Sequence, residues 1–471
     1  MLEPAPNNAP TAADVETSLY EVRKKIYVRA VSGWFAGWRV ALVIATQLVF
    51  YGSPWLVWND RQAVLFDLVS RKFYIFGLVF WPQDFIFLTA LLIISAYSLF
   101  LFTAIAGRLW CGYACPQTVY TEIFMWIERF VEGDRVQRMR LDKSAAGARK
   151  IGLKALKHGI WIVLSLWTGF TFVGYFTPIK VLAGEVAAWS LGPWETFWIF
   201  FYGFATYGNA GWMREQVCKY MCPYARFQSV MFDPDTLVIT YDAARGEPRG
   251  SRSRTADAAA LGLGSCVDCN ICVQVCPTGI DIRQGLQYEC IGCAACIDGC
   301  NQVMDKMGYS RGLIRYSTEN AVHGKYTDTE IPRHVLRPRV LVYSGLLVAI
   351  VLIFFGGLWL KNPLKVDVIR DRGAMMRDAP GGMIENVYRL QFINTDESAR
   401  RYNVTVSGLQ GLSLMLAMPV EVPATTTKTF PVTVRGDPSL LKSGSHPIVF
   451  HIRDVERPDV RADESSRFFV R

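Results

Sequence analysis

The chain has 471 residues and a mass of 53.1 kDa, enough for about three structural units. It is 51% hydrophobic and 19% charged, with a mean hydropathy of +0.19. Soluble domains carry about 25% charged residues, so this chain places apolar surface where water is absent. Its length and composition exclude disordered, collagen-like and small disulfide-rich secreted proteins. A net charge of +9 fits a nucleic-acid partner or a membrane protein with basic cytoplasmic loops.

Five apolar runs without a charged residue stand out along the chain. They lie at residues 40–59, 85–107, 159–179, 196–213 and 340–360. About 20 residues of helix cross a bilayer, so each run is long enough to span a membrane. The first run is no cleavable signal peptide, because a long polar tail precedes it and no small-residue cleavage site follows. The sequence therefore predicts five transmembrane helices.

Lysine and arginine are distributed unequally between these runs. Five precede the first run and ten lie in 108–158, whereas 60–84 holds three and 180–195 holds one. Basic residues concentrate on the cytoplasmic side of membrane proteins. The N-terminus, 108–158 and 214–339 are therefore predicted to be cytoplasmic, and 361–471 to lie outside. The same bias explains the positive net charge, so no nucleic-acid partner is expected.

The loop between the first two runs contains an aromatic stretch, Arg71–Asp84. It is too short to span a membrane, and aromatic residues are enriched at membrane interfaces. It is predicted to be an interfacial segment on the outer side, with a quinone pocket as the alternative.

The second and fourth runs are each followed by the motif C-x3-C-P. Its cysteines are Cys111 and Cys115 in one copy, and Cys218 and Cys222 in the other. An i, i+4 spacing places two side chains on one helix face, so each pair is expected to grip one ion. Because proline disfavours helix in the preceding residue, each second cysteine is predicted to lie at a helix break. A helix N-terminus there is expected to lower the pKa of the thiol.

If the second and fourth spans pack together, these four thiols converge at the cytoplasmic membrane surface. Thiolates select iron–sulfur clusters and Cu(I), so copper and a further iron–sulfur cluster are both candidate occupants. Unliganded buried thiols are the structural alternative.

The remaining eight cysteines follow the two-cluster ferredoxin spacing, C-x2-C-x2-C-x3-C, twice. All twelve cysteines lie in regions predicted to be cytoplasmic, where thiols bind metals rather than form disulfides. Three close thiolates hold one corner of a cluster and the fourth comes from the other repeat. We therefore predict two 4Fe–4S clusters, one bound by Cys266, Cys269, Cys272 and Cys300, the other by Cys290, Cys293, Cys296 and Cys276.

A pair of zinc sites is the alternative for this region, but zinc usually takes two well-separated cysteine pairs. No flavin, nicotinamide or nucleotide motif is found in the sequence. The electron donor is therefore expected to be another protein, or a carrier whose binding motif is not recognisable.

Residues 361–471 alternate apolar and polar residues instead of forming long apolar runs. Strands are predicted at Val387–Ile393, Tyr402–Val406, Lys428–Val434 and Pro447–Ile452. About 110 residues of short strands predict an immunoglobulin-like sandwich that docks a partner outside the cytoplasm.

The predicted fold class is thus a multi-domain membrane protein with five transmembrane helices, a ferredoxin domain and a β-sandwich. The predicted parts are a cytoplasmic tail 1–39, a four-helix membrane domain 40–223, a cytoplasmic two-cluster ferredoxin domain 224–339, a fifth transmembrane helix 340–360 and a periplasmic immunoglobulin-like domain 361–471.

Taken together, these motifs resemble the FixG/RdxA/CcoG family of membrane polyferredoxins from end to end. The resemblance covers Arg71–Asp84, both C-x3-C-P motifs, the doubled ferredoxin run, Gly312–Asn320 and the C-terminal domain. It implies a protein of the bacterial cytoplasmic membrane that assists assembly of cbb3-type haem–copper oxidases. It further implies reduction of Cu(II) to Cu(I), with Cys111, Cys115, Cys218 and Cys222 as the catalytic, copper-handling residues.

The partners implied are membrane lipid, copper ions and the copper transporters or chaperones of oxidase assembly. Two other functions are alternatives: quinol-linked electron transfer, and a redox-sensing assembly scaffold. A symmetric homodimer is the default expectation for the oligomeric state.

Overall fold

The computed structural model describes residues 25–258, 260–371, 376–440 and 442–470. Residues 1–24 of the predicted tail 1–39 lie outside the described residues. The chain forms two compact units, each assembled from separate stretches. The first contains residues up to 47, 99–169 and 200–341, and the second contains 48–98, 170–199 and 342–471.

Helices dominate the chain up to residue 359. They are α1 Trp34–Gly52, α2 Phe85–Ala106, α3 Leu109–Tyr113, α4 Pro116–Glu132, α5 Arg135–Lys143, α6 Ala148–Val173, α7 Ile179–Ala187, α8 Pro193–Thr206, α9 Pro223–Met231, α10 Ala243–Gly246, α11 Ile271–Gln274, α12 Ala295–Met307, α13 Glu319–Val322, α14 Ile331–Val335 and α15 Pro338–Trp359. Two π-helical segments, Tyr207–Met213 and Val217–Met221, follow α8.

Strands fall in three regions of the chain. They are β1 Val57–Trp58, β2 Arg61–Gln62, β3 Val64–Asp67, β4 Lys72–Ile75, β5 Leu78–Phe80, β6 Val238–Tyr241, β7 Ile314–Ser317, β8 Leu364–Arg370, β9 Arg377–Ala379, β10 Met383–Asn394, β11 Arg400–Ser407, β12 Ser413–Met415, β13 Val420–Val422, β14 Thr427–Gly436, β15 Gly444–Asp454 and β16 Arg461–Val470.

Four helical stretches of the described chain are long and apolar enough to cross a membrane: Trp34–Trp55, Pro82–Ala106, Ala148–Val173 and Pro338–Trp359. They correspond to four of the five predicted runs, but two of the helices begin well before the predicted run. The first helix begins at residue 34 instead of 40, and the third begins at 148 instead of 159. Backbone hydrogen bonding carries a helix into polar sequence, so apolar composition alone places its ends wrongly.

The predicted span 196–213 has a different structure. Its first part belongs to α8, and Tyr207–Met213 continues as a π-helix. The α-helical part is 14 residues long, too short by itself to cross a bilayer. The predicted count of five spans therefore stays a prediction, and this segment is the one that decides it.

A small core around α12 organises the cysteine-rich part of the first unit. The helix is amphipathic and buries Ile297 and Met304 against the antiparallel pair β6 and β7. On the same helix, the Asp298 carboxylate accepts a hydrogen bond from the backbone N–H of Ala36 at 2.7 Å. Asp298 thereby satisfies a free amide in the first turn of α1, which ties that helix to the ferredoxin core.

In the second unit, the predicted interfacial stretch Arg71–Asp84 forms the strands β4 and β5. With β3 they make a three-stranded antiparallel sheet in the order β3-β4-β5. Val79 and Trp81 are buried against Ile393 of β10. Asp84 pairs with Lys361 at 2.9 Å and with Lys365 at 2.6 Å. This stretch therefore packs on the C-terminal domain, a contact that the sequence did not reveal.

The C-terminal domain is a sandwich of two antiparallel sheets, as predicted. One sheet has the order β12-β14-β10-β8, with β9 also on β10, and the other has the order β13-β11-β15-β16. Inward residues of β10, such as Tyr388 and Phe392, are at most 1% exposed and share one core with Phe450 of β15. The four predicted strands lie within β10, β11, β14 and β15.

Candidate metal centre

The first ferredoxin repeat wraps around the short helix α11. Cys266 and Cys269 precede this helix and Cys272 lies in it. The thiol of Cys300, on α12, interacts electrostatically with all three of these cysteines. The structure thus brings together the set predicted for one cluster, because α11 and α12 pack against each other.

The second repeat forms a matching arrangement. Cys290 and Cys293 precede α12, and Cys296 lies in its first turn. These three cysteines line one cavity together with Cys276, which follows α11, and with Cys272 of the first set. The fourth cysteine predicted for each set thus lies near the three cysteines of the other repeat. The assignment of each cysteine to one cluster stays a prediction.

Equivalent backbone turns place the third cysteine of each repeat. Asn270 and Ala294 each lie two residues before that cysteine, with φ of 54° and 59°. This left-handed conformation is common for asparagine but costs an alanine about 1–2 kcal/mol. The same strained turn in both repeats indicates that loop geometry around the thiols is under a shared constraint.

The donor chemistry of these loops fits an iron–sulfur cluster. Backbone N–H groups of Gly292 and Ala295 point to the sulfur atoms of Cys290 and Cys293. Burial raises the pKa of Cys290 to about 12, although the Gly292 N–H lowers it. Such thiols are protonated at neutral pH unless a metal takes the place of the proton.

The C-x3-C-P motifs contain the predicted helix breaks. Cys115 and Cys222 are extended, and the helices α4 and α9 begin at the prolines that follow them. The idea that each pair lies on one helix face is wrong. Helix α3 ends at Tyr113, before Cys115, and Cys218 lies in a π-helical segment that ends before Cys222. Proline forces the preceding residue out of the helical region and so separates the pair.

The four membrane thiols nevertheless converge, as predicted. Cys111 interacts electrostatically with Cys115 and Cys218, and Cys115 also with Cys222. In the described part of the chain, no three His, Cys, Asp or Glu side chains are close enough to hold a single metal ion. The ferredoxin cysteines are not close enough for a single ion either. The ligands of a 4Fe–4S cluster bind different iron atoms at separate corners, so they lie further apart than the ligands of one ion.

The predicted lowering of the thiol pKa is wrong for Cys115. Burial raises the pKa of Cys115, although backbone N–H groups of Gln117 and Thr118 at the start of α4 lower it. Burial likewise raises the pKa of Cys111 to about 12 and that of Cys218 to about 11. Desolvation of the thiolate outweighs the helix N-terminus here.

Helix α3 packs directly on the loop of the second ferredoxin repeat. A Cβ at Gly112 would lie 2.8 Å from the Ile291 carbonyl oxygen and 2.9 Å from Cys293 N and Cα. Cys111 and Cys218 pack against the apolar cluster that contains Ile291 and Cys293. The four-thiol site therefore adjoins the second repeat, through a contact that only glycine permits.

Sequence reasoning missed two arginines near these thiols, Arg39, which is partly buried, and Arg108, which is buried. Arg39 pairs with Glu122 at 3.4 Å and hydrogen-bonds to Cys293. Arg108 is 5% exposed and has Cys111 as its strongest electrostatic partner. The sequence did contain a signal for both. Each arginine lies directly beside a predicted membrane run, where a charged side chain is costly without a specific partner.

Comparisons with known proteins agree with this arrangement. The chain matches the family described as a 4Fe–4S dicluster domain over residues 213–319 and a 4Fe–4S binding domain over 87–132. Residues 354–471 match the family of the immunoglobulin-like fold at the C-terminus of FixG. The nitrogen fixation protein FixG of Rhizobium meliloti is 40% identical, covering 86% of this chain and 83% of the relative. The chain belongs to the FixG/RdxA/CcoG family.

Two relatives from Cereibacter sphaeroides support the same membership. Protein RdxA is 39% identical, covering 84% of each chain, and protein RdxB is 38% identical, covering 89% of this chain and 90% of the relative. This family member is an iron–sulfur electron-transfer protein of the membrane, and it carries two 4Fe–4S clusters.

Proposed function

We propose that this FixG-family protein is a cupric reductase of the bacterial cytoplasmic membrane. The clustering of lysine and arginine in the N-terminal segment, 108–158 and 214–339 supports a cytoplasmic location for the cysteine-rich part. The same rule supports a periplasmic C-terminal domain if the chain crosses the membrane five times.

The contact between α3 and the second ferredoxin repeat is the observation that carries this proposal. When bound, each 4Fe–4S cluster accepts and releases one electron at a time. The close approach of Gly112 to Cys293 puts α3, which carries Cys111, in direct contact with that repeat. Electrons supplied from the cytoplasm are therefore released next to Cys111, Cys115, Cys218 and Cys222.

Copper is the substrate in this scheme, bound transiently at the four-thiol site. Thiolate ligands favour Cu(I) over Cu(II), so binding at these cysteines drives the reduction. One electron from a cytoplasmic protein donor or carrier converts one Cu(II) to Cu(I). The Cu(I) then passes to transporters or chaperones that serve assembly of a cbb3-type haem–copper oxidase.

A second candidate is electron transfer to another acceptor, with a further iron–sulfur cluster resident at the four-thiol site. The match of residues 87–132 to a 4Fe–4S binding domain favours this occupant, because it includes Cys111 and Cys115. Iron analysis separates the two possibilities. Two clusters give about eight irons per chain, and a third raises this to about twelve.

The test uses purified, anaerobically reduced protein, Cu(II) and a chelator specific for Cu(I). Wild type is compared with a variant in which Cys111, Cys115, Cys218 and Cys222 are all replaced by alanine. We expect Cu(I) in proportion to the clusters oxidised in wild type. In the variant we expect no Cu(I), while the two ferredoxin clusters remain.

Full copper reduction by the variant would show that the four thiols are not the reductase site. If Cu(II) does not oxidise the reduced wild-type clusters, another redox partner is favoured, and quinol would be tested next.

A further inference from the structure

Arg108 lies at the break between α2 and α3, where it is 5% exposed. Its guanidinium donates hydrogen bonds to the backbone carbonyls of Tyr288 and Ala225. The Nε–H of Arg108 is buried and finds no acceptor among the described residues. One donor of this buried cation is therefore left for a group that the protein chain itself does not supply.

The side chain interacts with both groups of thiols. Its electrostatic partners are Cys111, Cys218 and Cys222 of the four-thiol site and Cys290 of the second ferredoxin repeat. Within the described chain, no carboxylate forms an ion pair with Arg108. A buried, unpaired guanidinium is costly, so the missing negative charge is expected to come from the metal centres on either side.

Thiolate-bound metal centres carry such a charge. Four thiolates around iron–sulfur or copper leave a net negative centre, and each added electron makes it more negative. A nearby cation stabilises the reduced form more than the oxidised form. Arg108 supplies this cation close to thiols of both centres.

We propose that Arg108 is a positioning residue that raises the reduction potentials of both the four-thiol centre and the second ferredoxin cluster. It donates its free Nε–H to the anionic centre at the four thiols and couples that centre electrostatically to Cys290. The proposal rests on the iron–sulfur assignment, and it does not require that copper is the acceptor.

The experiment is a redox titration of the full-length protein, followed by electron paramagnetic resonance without copper. Arg108→Gln removes the charge, and Arg108→Lys keeps it while losing the guanidinium fork. The matched control is Arg283→Gln, because Arg283 lies near Cys272 of the first repeat. Iron and sulfide are measured in every sample.

With Arg108→Gln we expect the ratio of reduced to oxidised second cluster to fall about tenfold at a fixed potential. For a one-electron couple this is a shift of about 59 mV to lower potential. Arg108→Lys restores most of the potential. Arg283→Gln shifts a different signal, that of the first cluster.

Wild-type potentials in Arg108→Gln, with full iron content, would overturn the proposal. If that variant loses part of its iron, the potential is read from the second-cluster signal that remains: a wild-type value overturns the proposal, and a lower value that Arg108→Lys restores supports it. The same titration with the four membrane cysteines replaced by alanine separates this proposal from the copper hypothesis. In that background, Arg108→Gln still lowers the potential of the second cluster. This result does not depend on whether the four-thiol site reduces copper.

Discussion

Replacing Gly112 by alanine tests the contact between the four-thiol site and the second ferredoxin repeat. The added Cβ would lie 2.8 Å from the carbonyl oxygen of Ile291, which is 0.6 Å inside the 3.4 Å limit of ordinary contact. Two further overlaps, each at 2.9 Å, involve the backbone of Cys293. Because all three atoms belong to the backbone, no side chain can rotate away, so α3 and the loop must separate.

Overpacking of this kind costs about 1–3 kcal/mol, and we expect the upper part of that range. Gly112 has helical backbone geometry, so alanine itself causes no conformational strain there. The matched control is Gly152→Ala in α6, where nothing lies within 4 Å of the added Cβ. The two substitutions are chemically identical and differ only in the space around them.

The assay mixes pre-reduced protein with Cu(II) and follows Cu(I) formation by stopped flow, with iron content and thermal midpoint measured in parallel. For Gly112→Ala we expect slower Cu(I) formation and a lower thermal midpoint, with both clusters retained. Gly152→Ala is expected to behave like wild type. An unchanged rate in Gly112→Ala with intact clusters would refute the idea that electrons cross this contact.

Two further predictions concern the scaffold. Glu128 is 1% exposed and, although burial raises its pKa, Arg214, Arg138 and Lys157 lower it to about 2. The ionised carboxylate therefore contributes about 3 kcal/mol to folding stability above pH 4.5, and this contribution is lost as the pH falls towards 2. Thermal unfolding measured across this pH range should show a smaller change in stability for Glu128→Gln than for wild type. Phe450→Ala should destabilise the β-sandwich by about 3–5 kcal/mol, because Phe450 is fully buried. Hydrogen exchange should then rise in residues 376–470 while the visible absorbance of the clusters stays unchanged. If cluster absorbance were lost together with protection from exchange in the sandwich, the two regions would not have separate cores.

Several features of this protein were predictable because they depend on neighbours in sequence. The spacing C-x2-C-x2-C-x3-C brings three thiols together within one short loop, whatever the rest of the chain does. The prolines after Cys115 and Cys222 break the helix at the expected residues, since the clash is local. The strands β10, β11, β14 and β15 were found because alternate apolar residues in them face one core.

Other features depended on partners distant in sequence and were missed or predicted wrongly. The edge strands β9, β12 and β13 are three residues long, too short to show a pattern. In β16, residues 461–467 are all charged or small and show no apolar alternation, and pairing with β15 makes this segment a strand. Composition also placed the start of α6 at residue 159, but its first turns at Ala148 are basic.

Sequence by itself determined the chemistry of this protein: which thiols group together, where the helices break and which family the chain joins. Only the tertiary structure decided how that chemistry is tuned. Burial raises the pKa of Cys115 although the helix N-terminus beside it lowers it. Arg108 interacts electrostatically with cysteines of both thiol groups. Desolvation and charge act through space, and they depend on atoms that chain folding brings from distant positions.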